Sequence, residues 1–176
     1  MSRAFVKDES WEDPVVAPRA SLPDGVPNYV TPRGLDRLRE ELAELEARRL
    51  VIEADSTHDD GERRKRLGVL ATRLRDLAAR IATAEVVDPA RATPGTVRFG
   101  ARVTLRTMSG SAMGEDRQLE IVGVDEAEPD EGRIAFIAPI ARAILGKRVG
   151  ETAALHAAGG DQTLRIEAID YPATAT

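Results

Sequence analysis

Two leucine-rich stripes, separated by one short gap, constrain this chain more than any other feature. Between residues 31 and 88, apolar side chains recur at alternating spacings of three and four, the pattern of helices that pack along one face. The first stripe follows Thr31 and Pro32, a hydroxyl cap and a proline suited to the first helical position. The stripes comprise Leu35, Leu38, Leu42, Leu45 and Ile52, then Leu67, Leu70, Leu74, Leu77, Ile81 and Ala84. We therefore predict an antiparallel coiled-coil hairpin over residues 31–88.

The pairing of the two stripes predicts where the chain reverses. If Leu42 faces Leu77 and the other pairs follow in register, the fold-back falls at Asp59 and Asp60, beside Gly61. About 28 residues then separate Thr31 from the tip, or roughly 40 Å of helix at 1.5 Å per residue.

Charged residues crowd this predicted tip. Asp59, Asp60 and Glu62 can share a divalent cation, or they can cap the next helix and solvate a turn, and both interpretations stay open. His58 is either a ligand or an exposed turn residue. The basic run that follows either contacts RNA phosphates or forms a solvated face balanced by glutamates of the first helix. This run is Arg63, Arg64, Lys65 and Arg66.

The remaining sequence divides into four segments. Residues 1–30 carry regularly spaced prolines and acids, which predict a flexible tail or a strap that docks Phe5 or Trp11 on a partner or on its own domain. Residues 89–95 form a linker. Residues 96–171 change to strand periodicity, with a short helix opened by Pro139, and residues 172–176 are a tail. The fold class is α+β, a helical hairpin followed by an antiparallel sheet domain.

Composition excludes several classes of function. The chain has 176 residues, a formal net charge of −5, no Cys and only 3% aromatic residues. These values exclude disulfides and cysteine-ligated metals, and they argue against an aromatic platform for single-stranded nucleic acid. No signal-peptide pattern or membrane-length apolar run is visible. We expect a soluble, cytoplasmic protein without membrane contact.

Several runs of sequence, in the same order, resemble the bacterial GreA/GreB transcript-cleavage factors. They are NYVTPRGLDRLREEL at residues 28–42, AEVVD at 84–88, GTVRFG at 95–100, IVGVDE at 121–126, PIAR at 139–142, LGK at 145–147 and IEAIDY at 166–171. The resemblance covers residues 28–171. It implies a coiled-coil hairpin followed by an FKBP-like domain that docks on RNA polymerase beside its secondary channel.

The same resemblance implies roles for particular residues. Pro139, Ile140 and Arg142 lie on the helix that it assigns to polymerase docking. The hairpin enters the channel, where Asp59 and Asp60 would help hold a Mg²⁺ ion shared with the polymerase near the RNA 3′ end. The protein would then be a monomeric cofactor of RNA polymerase, with no stably bound cofactor and no enzymatic activity of its own.

This sequence departs from the family pattern in three respects. The hairpin is about twelve residues shorter than in typical members, which removes roughly 9 Å of reach. The tip reads HDDGE where the family has Gly-Asp-x-x-Glu-Asn, and Ile137 and Ala138 replace a polar pair before Pro139. Two functions therefore stay open: stimulation of RNA cleavage, and regulation or inhibition from the channel without cleavage. A prolyl isomerase or chaperone is a more distant alternative, since the second domain has few aromatics for a pocket.

Overall fold

The computed structural model describes residues 19, 22–55, 59–92, 94–110, 112–157 and 160–172. His58, Phe5 and Trp11 lie outside these residues. The described chain forms a helical hairpin followed by a five-stranded sheet with one short helix, so the predicted α+β fold class is confirmed. Within the described ranges, no helix combines the length and apolar character needed to cross a membrane.

The first helix, α1 (Pro32–Ala54), begins where its sequence signals place it. The Thr31 hydroxyl accepts a hydrogen bond from the Gly34 N–H at 3.0 Å, and Pro32 occupies the first turn, where no backbone N–H is needed. The helix has 23 residues, so it is about 35 Å long at 1.5 Å per residue.

The second helix, α2 (Asp60–Ala82), begins with Asp59 as its cap, and the Asp59 carboxylate accepts from the Gly61 N–H at 2.9 Å. Because α1 ends at Ala54, the connection between the helices falls at residues 55–59. The predicted fold-back at Asp59 and Asp60 therefore lies a few residues too far along the chain. Asp60 is already the first residue of α2. The cap explains the shift, since it starts the helix earlier than the apolar spacing suggests.

The hairpin seam is tightest near its base. Leu38 and Leu77 are buried together, and the other predicted seam residues around them are partly buried. Toward the tip, Leu50, Val51 and Val69 are exposed. Leu70, farther from the base, is also buried, so the seam between the helices excludes solvent there too. A two-helix hairpin has no third element to cover its outer faces, which is why these other apolar residues stay exposed.

The last residues assigned to the N-terminal tail take part in the fold. A short parallel pair, β1 (Tyr29–Val30) and β2 (Glu85–Val86), closes the hairpin base, with Val30 buried. The Asn28 amide donates to the Arg80 carbonyl at 2.7 Å. Regular structure therefore begins before residue 31. The pairing of β1 with β2 satisfies backbone hydrogen-bonding groups of residues 29 and 30, and the proline spacing of the sequence does not reveal this pairing.

The sheet domain has the strand order β5-β4-β3-β7-β6. Its core consists of alternate residues of β3, β4 and β7, and the helix α3 closes one side by burying Ala141 and Ile144. One feature corrects the predicted antiparallel sheet: β5 pairs parallel to β4, while the other neighbours are antiparallel. The elements are β3 (Arg102–Ser109), β4 (Asp116–Val122), β5 (Arg133–Ala135), α3 (Pro139–Ile144), β6 (Thr152–Ala157) and β7 (Gly160–Asp170).

Candidate functional site at the hairpin tip and base

The predicted tip carboxylates all lie at the start of α2, and all are exposed. Asp59 is used as the helix cap. The Asp60 carboxylate lies 2.6 Å from the Arg63 guanidinium. The Glu62 carboxylate lies 2.6 Å from the Arg66 guanidinium. A helix N-terminus stabilises negative charge, so the positions suit carboxylates whether or not a ligand is bound.

The carboxylates do not form a complete metal site by themselves. No group of three Asp, Glu, His or Cys residues that could hold a metal occurs among the residues that the structure describes. Carboxylate oxygens are the donors that Mg²⁺ prefers, but Mg²⁺ takes about six ligands. A metal at this tip would therefore need further ligands from another molecule.

The predicted basic run covers about one turn of α2, so its side chains point in several directions. Arg63 also donates to the Asp55 carbonyl at 2.9 Å, which ties the two ends of the connection together. Arg64 donates to the Asp60 carbonyl at 3.1 Å, and Lys65 is exposed. Arg63 and Arg66 thus form ion pairs with tip carboxylates, while the side chains of Arg64 and Lys65 remain exposed.

The predicted docking helix α3 presents two of its three predicted residues outward. Pro139 and Arg142 are exposed, whereas Ile140 is partly buried and packs against the sheet core. Ala141 and Ile144 fix the opposite side of the helix in that core. The exposed side therefore has a fixed orientation relative to the sheet.

A buried carboxylate that the sequence analysis did not single out joins the hairpin to the sheet domain. Glu126, only 2% exposed, lies in the turn after β4. Its carboxylate accepts from the Thr31 N–H at 2.9 Å and from the Thr31 hydroxyl. Gly34 lies so close that a side chain there would overlap Glu126. These contacts fix the start of α1 on the sheet domain, and hence the direction of the hairpin.

A second ionic contact lies beside Glu126. Asp125 is nearly buried, with the Arg19 guanidinium at 2.5 Å and that of Arg80 at 3.4 Å. Arg19 also lies 2.5 Å from Glu41 on α1. Burial would lower the pKa of Arg19, but its hydrogen bonds and charge interactions with Glu41 and Asp125 outweigh that effect and raise it. In the sequence both acids belong to the run IVGVDE, which does not by itself show that they are buried.

The sequence of this chain matches those of known proteins. The family model for the C-terminal part of transcription elongation factor GreA/GreB matches residues 92–171. The chain is 38% identical over 155 residues to transcription elongation factor GreA of Methylococcus capsulatus, and 32% identical over 155 residues to that of Ralstonia nicotianae. Each alignment covers 81% of this chain and 96% of the relative.

Similar solved structures include GreA factor homolog 1 (Gfh1) of Thermus thermophilus, at 22% identity and a TM-score of 0.38, with 82% of this chain and 99% of that chain covered. A GreA/GreB elongation factor from Nitrosomonas europaea aligns at 23% identity and a TM-score of 0.39, covering 81% of this chain and 98% of that one. The identity to the GreA sequences extends over most of both chains, and the family predicted from the sequence is confirmed. This chain belongs to the GreA/GreB family of transcription elongation factors.

Proposed function

We propose that this protein binds RNA polymerase at its secondary channel and regulates elongation from there. The sheet domain docks beside the channel through α3, and the hairpin enters it. One observation carries the proposal: exposed carboxylates, Asp60 and Glu62, lie at the free end of a hairpin whose base is anchored on the sheet domain by the buried Glu126. Such an anchor lets the docked domain determine where the tip carboxylates are placed.

Docking through α3 is supported by its exposed side. Arg142 can form ionic contacts at the edge of an interface, while Ala141 and Ile144 hold the helix in place from behind. Arg142→Ala should weaken capture of core RNA polymerase at least severalfold without unfolding the protein. The matched control is Arg148→Ala, which removes another exposed arginine of the same domain. Equal capture by both variants and wild type would remove Arg142 from the interface.

At the tip, we propose that the carboxylates complete a Mg²⁺ site of the polymerase, so that the protein acts as its cofactor. Asp60 and Glu62 would exchange their arginine partners for the ion, and Asp59 is the third candidate ligand. A bound Mg²⁺ supplies charge neutralisation and an activated water for hydrolysis of RNA. Arg64 and Lys65 are placed to contact phosphates of the RNA 3′ end.

A second candidate function is regulation of the channel without RNA cleavage. Two observations favour it. The aligned region takes in 155 positions but only 81% of the 176 residues here, about 143, so about twelve positions of the GreA relative have no counterpart in this chain. In addition, Asp60 and Glu62 are each neutralised by an arginine one turn away. We assign these missing positions to the hairpin, and a shorter hairpin with neutralised acids would occupy the channel but supply no ligand.

Backtracked elongation complexes distinguish the two functions. If the protein stimulates cleavage, wild type shortens the RNA on a gel. The variant Asp59→Asn/Asp60→Asn/Glu62→Gln should then bind polymerase normally but cleave at least tenfold more slowly, which corresponds to about 1.4 kcal/mol. Asparagine is preferable to alanine at Asp59 because it keeps the helix cap. Glu53→Gln, also near the tip, is the matched control.

The other outcomes are equally informative. If wild type leaves the RNA uncut but slows or blocks nucleotide addition, the second candidate holds. If wild type neither binds core polymerase nor changes elongation, both are wrong.

A further inference from the structure

A wide groove of about 810 Å³ lies where the hairpin base meets the sheet domain, and none of the tip residues lines it. Val86 and Val87 of the hairpin base line one wall, and Phe99 and Phe136 of the sheet domain line the other. Tyr29 lies between them, with its ring centroid 5.7 Å from that of Phe99 and 5.5 Å from that of Phe136. The groove is thus lined by three of the four aromatic side chains among the residues that the structure describes.

The groove has the chemistry to hold an aromatic side chain with acidic neighbours. Edge-to-face packing on tyrosine and phenylalanine rings favours a further aromatic ring, and Val86, 50% exposed, offers apolar surface for it. Two exposed cations, Arg91 and Arg98, lie at the rim together with Asp88, which is 3.6 Å from Arg91. The excess of positive charge favours a ligand with carboxylates on either side of its ring.

The same chain contains such a ligand in its N-terminal segment. Residues 8–13 read DESWED, which places four acids around Trp11, the only tryptophan of the protein. Pro14 and Pro18 follow this segment closely and disfavour helix and sheet pairing, so it can bind in extended form.

The position of Arg19 brings this segment back toward the groove. Arg19 is held by Asp125 and Glu41 at the junction of hairpin and sheet domain. Asp125 is followed by Glu126, whose carboxylate binds Thr31. Thr31 lies two residues after Tyr29, which lines the groove. The eight residues from Arg19 back to Trp11 span up to about 26 Å when extended. Because Arg19 is linked to Tyr29 through only the contacts of Asp125, Glu126 and Thr31, we infer that Trp11 can reach the groove from this anchor.

We propose that the N-terminal segment docks on its own protein, with Trp11 in this groove and its acidic neighbours near Arg91 and Arg98. Because the two walls belong to the hairpin base and to the sheet domain, the docked segment adds a contact that ties the two together. The segment and Arg19 then act together to hold the hairpin in its orientation.

Trp11 itself reports the docking, since it is the sole source of tryptophan fluorescence. The test compares the full chain with a synthetic peptide of residues 1–18 in the same buffer. In the full chain, the emission should shift to shorter wavelength, and acrylamide quenching should fall about threefold or more, because a groove of this kind covers most of a bound side chain. Both values should stay constant on dilution, since the contact lies within one molecule.

Two matched valines test whether this groove is the site. Val86→Asp places a charge on the groove wall, while Val149→Asp does so at an equally exposed valine elsewhere, 54% against 50% exposed. The first variant should restore peptide-like emission and quenching, and the second should not change them. Circular dichroism of both variants checks that they are folded.

Three results would overturn the proposal. Peptide-like fluorescence of Trp11 in the full chain would show that the segment is not docked. Shielding that appears only at high protein concentration, or only with RNA polymerase present, would assign Trp11 to a second copy or to that partner. Shielding that survives Val86→Asp would place Trp11 on another surface.

Discussion

Two glycines in the hairpin helices should respond to the same substitution with opposite signs. Glycine inside a helix is about 0.8–1 kcal/mol less favourable than alanine, so Gly→Ala ordinarily stabilises. At Gly68, in the middle of α2, an added Cβ would meet no atom within 4 Å. At Gly34, it would lie 2.6 Å from Cγ of Glu126, and the carboxyl group would be closer still. Gly68→Ala should therefore raise the free energy of unfolding, and Gly34→Ala should lower it.

The loss of stability expected for Gly34→Ala depends on whether the Glu126 side chain can move away from the added methyl group. Its carboxylate accepts from both the N–H and the hydroxyl of Thr31, so it cannot move away without giving up these bonds. Overpacking costs about 1–3 kcal/mol, and a lost hydrogen bond to a charged group costs about 1.5–3 kcal/mol. After subtracting the gain in helix propensity, we expect Gly34→Ala to cost about 2–4 kcal/mol.

Urea unfolding followed by circular dichroism at 222 nm measures both variants. For a chain of this size, 1 kcal/mol shifts Tm by about 2–4 °C, so thermal melts should separate the two variants by more than 6 °C. The double variant Gly34→Ala/Glu126→Asp should recover part of the loss, because the shorter acid leaves room for the methyl group. If Gly34→Ala stabilises the protein as Gly68→Ala does, the buried junction between Glu126 and the start of α1 is wrong.

The other predictions concern single contacts. Leu77→Ala, at 1% exposure, should lower the free energy of unfolding by about 2–4 kcal/mol, whereas Leu50→Ala, at 61% exposure, should change it by less than about 0.5 kcal/mol in urea titrations. Asp59→Ala should cost about 1 kcal/mol in the same assay through loss of the α2 cap, and Asp59→Asn should be close to neutral. Burial raises the pKa of the Tyr171 phenol, which donates to the Thr96 carbonyl at 2.6 Å. Because its folded pKa lies above the ordinary value near 10, stability should fall as the pH rises past 10, and Tyr171→Phe should flatten that decline in urea midpoints measured from pH 9 to 11.

Local signals were enough to predict the hairpin and its start. Thr31 and Pro32 cap α1 as their residue types dictate, and the spacing of Leu38 and Leu77 places them in the buried seam. These features depend on residues within a few turns of one another, so the helical period and the capping chemistry determine them. The family was also recognisable, because its motifs are short runs in a fixed order.

The tertiary structure alone decided the contacts between distant segments. Nothing near Glu126 in the sequence shows that its carboxylate is buried against Thr31, 95 residues away, and acids in a turn are usually solvated. The parallel pairing of β5 with β4, and of β1 with β2, likewise depends on strands that meet only after the chain has folded. A hydrophobic period specifies which face of an element is buried, but it carries no information on the element that covers it. The direction of the hairpin relative to the sheet domain is therefore a property of the fold, set by the bonds that converge on Glu126 and Asp125.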